Sequence, residues 1–153
     1  MKYVEQVLQP GERVIYATSL HWLVYLRAIV LFVIALAAII ASGAFDDPVD
    51  FALKVVAAVL ALFAIVSALA ALIRRATTEL AVTDRRVIFK TGILRRHTLE
   101  MNRSKVETVS VDQSILGRIL GYGTVVVRGT GGSFEPIRFI GDPLTFRSHI
   151  TAA

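Results

Sequence analysis

Two long apolar runs, roughly Trp22 to Phe45 and Phe51 to Ile73, constrain this chain more than any other feature. Each approaches the ~20 residues a helix needs to cross a ~30 Å hydrocarbon core. The link between them, Phe45-Asp46-Asp47-Pro48-Val49-Asp50, is acidic and has no Lys or Arg. The expected arrangement is an N-terminal segment over 1–21, a transmembrane helical hairpin over 22–75 with its outer loop at 45–50, and a β domain over 76–153. A cleaved signal peptide fits the first run less well. The region before it is long, contains Glu5 and Glu12, and turns at Gln9-Pro10-Gly11.

Charge orients the hairpin. The formal net charge is +5, yet residues before Arg74 carry a slight acidic excess, so the basic surplus begins where the second run ends. Arg27, Arg74 and Arg75 lie at the ends away from the acidic loop, which places both termini in the cytoplasm by the positive-inside rule. Trp22 and Tyr25 suit an interfacial aromatic belt. Arg27, about one turn into its span, and Lys54, one turn into the other, reach the interface by snorkelling. Orientation accounts for the basic bias, so no nucleic-acid partner is expected. Arg27, Arg74, Arg75, Arg85 and Arg86 are the candidate contacts to lipid headgroups, each juxtamembrane cation contributing ~1 kcal/mol on an anionic leaflet. Arg95-Arg96 reads as solvated or salt-bridged.

Small residues mark the packing faces of the hairpin. Ala57, Ala61, Ala64, Ala68 and Ala71 recur in steps of four and three, forming one stripe, and Ala28, Ala35, Ala38 and Ser42 form another. Small side chains let helix backbones approach closely in lipid. The stripes either face each other or turn at least one face to another protomer. No strongly polar residue sits mid-span, which argues against a transporter with a midplane site.

Outside the runs the pattern changes. Tyr3, Val4, Val7 and Leu8 have the spacing of a short amphipathic helix, and Arg13 to Ser19 reads as a strand that pairs with the β domain. Past Arg75, Thr78–Thr83 and Arg86–Thr91 read as strands joined by a turn at Asp84-Arg85, followed by strands over Arg95–Met101 and Val106–Val111. Gln113 to Leu120 forms a helical turn with Ile115, Leu116, Ile119 and Leu120 on one apolar side. Thr124–Arg128 and Phe134–Ile140 are further strands, Pro136 marking an edge or bulge. Asp142-Pro143 reads as an N-cap and first-turn proline opening a last helix.

The ordered series Thr83-Asp84-Arg85-Arg86-Val87-Ile88, Gly92-Ile93-Leu94, Ser104-Lys105-Val106-Glu107-Thr108-Val109, Leu116-Gly117-Arg118-Ile119-Leu120-Gly121-Tyr122-Gly123 and Ile140-Gly141-Asp142-Pro143 resembles the bacterial pleckstrin-homology-like domain. Leu8-Gln9-Pro10-Gly11-Glu12 and the hairpin resemble its membrane-anchored members. The resemblance implies a bacterial plasma-membrane protein with a seven-strand sandwich or half-barrel capped by a C-terminal helix. Some eukaryotic relatives bind phosphoinositides through a basic loop, but no lysine-rich first-hairpin loop occurs here.

Motifs for chemistry are missing. Cysteine is absent, excluding disulfides and thiolate metal sites. His21, His97 and His149 lack ligand-like spacing. Asp46, Asp47 and Asp50 read as solvated, and Gly129-Thr130-Gly131-Gly132 joins strand to strand without the Lys-Ser/Thr of a phosphate loop. With no triad or zinc motif, no catalytic, cofactor-binding or metal-binding residue is assigned. The leading expectation is a non-enzymatic, membrane-anchored interaction module that binds a protein partner or itself, assembling as a homo-oligomer or with another membrane protein. The alternatives are a lipid-responsive module working through the juxtamembrane arginines and, more weakly, a small oligomeric pore.

Overall fold

The computed structural model describes residues 2–92, 97–130, 132–133 and 136–152. Residues 22–73 form one compact unit, and residues 1–21 with 74–153 form the other.

The first unit is a helical hairpin. After a 3-10 turn at Trp22–Tyr25, helix α2 spans Leu26–Ser42, and α3 spans Val49–Thr77, its last turn passing into the second unit. The stretches Trp22–Ser42, which takes in the 3-10 turn, and Val49–Thr77 are long and apolar enough to cross a membrane, and most of their large side chains are exposed. What they bury is small. Ala28, Ala35 and Ser42 are buried on α2, and Ala57, Ala64 and Ala71 on α3, each series in seven-residue steps. Ala61 and Ala68 are half-buried beside them. A cleft lined by Ala28 and Phe32 from α2 and Ala64 and Ala68 from α3 shows that the two stripes adjoin. A seven-residue repeat of small side chains keeps one narrow seam on each helix facing its neighbour. Near the loop, Lys54 pairs with Asp50 one turn earlier at 2.7 Å.

The second unit is a β sandwich. Helix α1 (Lys2–Val7) precedes strand β1 (Val14–Thr18), and after α3 come β2 (Glu79–Thr83), β3 (Arg86–Thr91) and β4 (His97–Asn102). These form an antiparallel sheet in the order β1-β2-β3-β4. The second sheet contains β5 (Val106–Asp112), β6 (Tyr122–Gly129), the two-residue β7 (Gly132–Ser133) and β8 (Ile137–Gly141), with both β7 and β8 paired to β6. Helix α4 (Ile115–Leu120) links β5 to β6, and α5 (Pro143–Thr151) closes the chain.

The core between the sheets contains Leu80, Val82, Val87, Phe89, Val125 and Val127, with Phe146 and Ile150 of α5 plugging its open side. The other face of the first sheet is also covered: Val4 of α1 packs with Ala81 and Ile88. Burial on both faces explains why Leu80-Ala81-Val82 and Val87-Ile88-Phe89 read as continuous apolar triplets rather than strict alternation. The Glu79 carboxylate accepts the Tyr3 and Val4 N–H groups, each at 3.2 Å from Oε2, and so caps α1 with a negative charge.

One local expectation changes, at the start of the last helix. Asp142 occupies the N-cap position of α5 but adopts φ 49° and makes no side-chain cap bond. Its left-handed backbone turns the carboxylate away from the first-turn N–H groups, and Pro143 supplies the helix start. The apolar side of α4, formed by the residues the sequence groups together, is exposed. Gly117 is the buried residue of that helix, and a Cβ there would come within 2.7 Å of the Tyr122 carbonyl oxygen. The helix approaches β6 through this glycine, which turns Ile115, Leu116 and Ile119 outward.

Candidate functional site

Arg86 is the most heavily engaged cation of the β unit. Its Nε and Nη2 donate to Glu12 at 2.9 and 2.8 Å, Nη2 also donates to the Val7 carbonyl at 2.7 Å, and Nη1 donates to Glu100 at 2.5 Å. Its side chain is 12% exposed and that of Glu12 is 0% exposed. Glu12 also accepts from the Gln9 N–H at 2.8 Å and the Thr83 hydroxyl at 2.7 Å. Burial pushes the Glu12 carboxyl up, but the hydrogen bonds from Arg86, Gln9 and Thr83, with the attraction of the guanidinium, outweigh it and hold the pKa at about 2. This cluster ties the N-terminal segment to the β2–β3 turn. Arg86, expected among the headgroup contacts, is instead a structural cation with its donors committed inside the protein.

The other arginines fall at different places. Arg27 is exposed in the first turn of α2. Arg85 is exposed in the β2–β3 turn, donating to Gln9 Oε1 at 3.3 Å. Arg74 is exposed and Arg75 half-buried in the last turns of α3, just before β2. A strand the length of β2 spans roughly 17 Å, so Arg85 lies at the opposite end of the β unit from Arg74. Among the described residues these candidate arginines make no single basic surface. Arg95 and Arg96 lie outside the described residues.

The end bearing Arg74 gathers a second arginine and a histidine. A shallow pocket of about 170 Å³ is lined by Arg74, His97 and Arg138 together with Thr78, Thr91 and Leu20. The Thr78 and Thr91 hydroxyls meet at 3.1 Å. His97 and Arg138 escaped sequence reasoning because they lie 23 and 64 residues beyond Arg74. Only the antiparallel return of β3 to β4, and of β6 to β8, brings them beside it.

A larger groove of about 480 Å³ runs beside the C-terminal helix. Val106, Glu107 and Val109 of β5 form one wall and Ile150 and Thr151 of α5 the other, with Asp84 and Arg103 at its end. Among the described residues β5 pairs only with β6 and forms an edge of its sheet, leaving one side of its backbone without a strand partner there. The Arg103 guanidinium donates to the carbonyls of His149, Ile150 and Ala152, placing a cation on the C-terminal carbonyls of α5. That clamp fixes the helix beside the strand. The groove combines an open ladder, apolar side chains and charges of both signs.

The strand order, the helix across the open side of the sandwich and the sequence agree: residues 20–152 match the family model described as Bacterial PH domain. The chain belongs to the bacterial PH domain family. No curated protein and no solved structure matches it. In this bacterial PH domain protein two helices long enough to span a membrane are inserted between β1 and β2. Among the described residues, no group of three His, Cys, Asp or Glu side chains converges as a metal site. His21 stacks on Tyr122 with ring centroids 5.6 Å apart, and His149 stacks on Tyr16 at 4.5 Å.

Proposed function

We propose that the protein is a non-enzymatic assembly module, held in the membrane by α2 and α3 with both termini in the cytoplasm, that binds an extended segment of a protein partner or of a second copy. The observation that carries this reading is the edge strand β5 beside the clamped helix α5. An added strand satisfies the open ladder, and its alternate side chains enter the groove. Val106, Val109 and Ile150 suit an apolar side chain, and Asp84 and Glu107 suit a basic one. The test is a photocrosslinking residue at Thr151 of the full chain in its own membrane. A discrete protein adduct that disappears with Val106→Arg supports the reading. Lipid and solvent adducts alone, unchanged by Val106→Arg, refute it.

A second reading rests on the pocket of Arg74, His97 and Arg138. Two guanidinium groups and two hydroxyls around a small cavity suit an anionic lipid headgroup. Arg74→Ala with Arg75→Ala then lowers the amount of anionic lipid retained on gentle extraction. Equal retention of anionic and neutral lipid by both proteins counts against it.

A further inference from the structure

We infer that α4 is an interfacial foot: the apolar side formed by Ile115, Leu116 and Ile119 inserts into the bilayer that α2 and α3 cross. This rests on the membrane-spanning reading of those helices, and the experiment separates the two.

The exposure is large and concentrated. Ile115, Leu116 and Ile119 are 79%, 63% and 73% exposed, and Leu120 and Leu144 are exposed as well. Five such side chains at one end of a small unit are unlike the scattered exposed apolar residues of an ordinary surface. The helix is firmly built: the Ser114 hydroxyl accepts from the Gly117 N–H at 3.1 Å, and Gly121 ends it at φ 73°. It therefore holds its apolar side outward rather than exposing it through fraying.

Its location selects the bilayer as occupant. The Asp142 N–H donates to the Gly121 carbonyl at 3.0 Å, the His21 N–H donates to the Phe139 carbonyl at 2.6 Å, and the His21 ring stacks on Tyr122. The C-terminus of α4 thus sits at the point where the chain leaves the β unit for α2. The return point is at the same end, because Leu20 and Arg74 line one pocket. Both tethers of the β unit emerge at the end that carries α4. Arg118 on the helix, with Arg74 and Arg138 at the same end, supplies the positive charge that accompanies apolar side chains in interfacial elements. Burying each Ile or Leu strengthens docking by about tenfold.

The chain has no cysteine, so one can be placed at will. Single spin labels at Ile119→Cys, Val33→Cys and Thr130→Cys, in nanodiscs holding one full-length chain each, are compared for relaxation by lipid-soluble oxygen and by a water-soluble nickel chelate. Position 33 reports α2, and position 130 reports the opposite end of the β unit. The expected result is that 119 and 33 favour oxygen while 130 favours nickel. Adding Ile115→Asn and Leu116→Asn weakens docking by about a hundredfold and returns 119 to nickel, with 33 unchanged. Lipid contact at 33 with water contact at 119 overturns the inference alone. Water contact at 33 overturns the spanning reading as well. Shielding at 119 that appears only when nanodiscs hold two or more copies assigns the face to a second copy and overturns the bilayer as occupant.

Discussion

Glu12→Gln removes the buried charge that holds the N-terminal segment to the sandwich while keeping the shape of the side chain. Three partners donate to this carboxylate, two of them through charge or a short hydroxyl bond, and its side chain is 0% exposed. The folded pKa lies at about 2 against an ordinary 4.5. A depressed carboxylate stabilises the folded state above its unfolded pKa, and that stabilisation is lost as pH falls from 4.5 towards 2. At 1.36 kcal/mol per unit the shift corresponds to about 3 kcal/mol. Glu12→Gln at pH 7 should therefore cost about 3 kcal/mol, and Arg86 keeps only Glu100 and the Val7 carbonyl as acceptors of full strength. The assay is amide hydrogen exchange of β1 in the full chain, corrected for intrinsic rates. β1 joins the sheet through β2 next to this cluster, so exchange through its release should speed up by about a hundredfold. Glu12→Gln with Arg86→Gln should cost less than the sum of the single changes, because each single change strands the other partner. β1 exchange that changes by less than about threefold in Glu12→Gln would falsify the assignment of this pair as the N-terminal clasp.

Gly129→Ala places a Cβ against the Lys105 carbonyl and the Met101 sulfur, and the strain should lower the denaturation midpoint of the β unit by a stability change of about 2 kcal/mol. Ala64→Leu overfills the helix seam and should lower the resistance of the hairpin to denaturing detergent, followed by loss of helicity, while Leu62→Ala on the exposed face leaves it unchanged. Phe146→Ala empties the plug of the sandwich and should cost about 3–5 kcal/mol in chemical denaturation. Arg103→Ala frees the last carbonyls of α5, so amide exchange should rise in the final turn of that helix and stay constant in β3.

Hydropathy varies along one dimension, and the hairpin was legible for that reason. Continuous apolar runs and steps of three and four define helix faces without knowledge of the fold, and Ala57, Ala64 and Ala71 fell on the buried seam. The strands were legible from turn chemistry: Asp84-Arg85 separates β2 from β3 as the sequence suggests. Features that depend on long-range pairing were not. Arg86 looked like a surface cation because its partner Glu12 lies 74 residues away. The Arg103 clamp on α5 was equally hidden, its acceptors being backbone carbonyls 46 and more residues on. In α4, apolar periodicity marked the correct side of the helix but not its direction. Gly117, through its missing side chain, decides which side faces β6.

Native mass spectrometry of the full chain, extracted gently from its own membrane, tests the central claim of an assembly module most directly. The account predicts a discrete homo-oligomer or a complex with one protein partner, lost on Val106→Arg while the monomer remains folded. A strict monomer carrying selectively retained anionic lipid and no protein would contradict it and move lipid reading to the front.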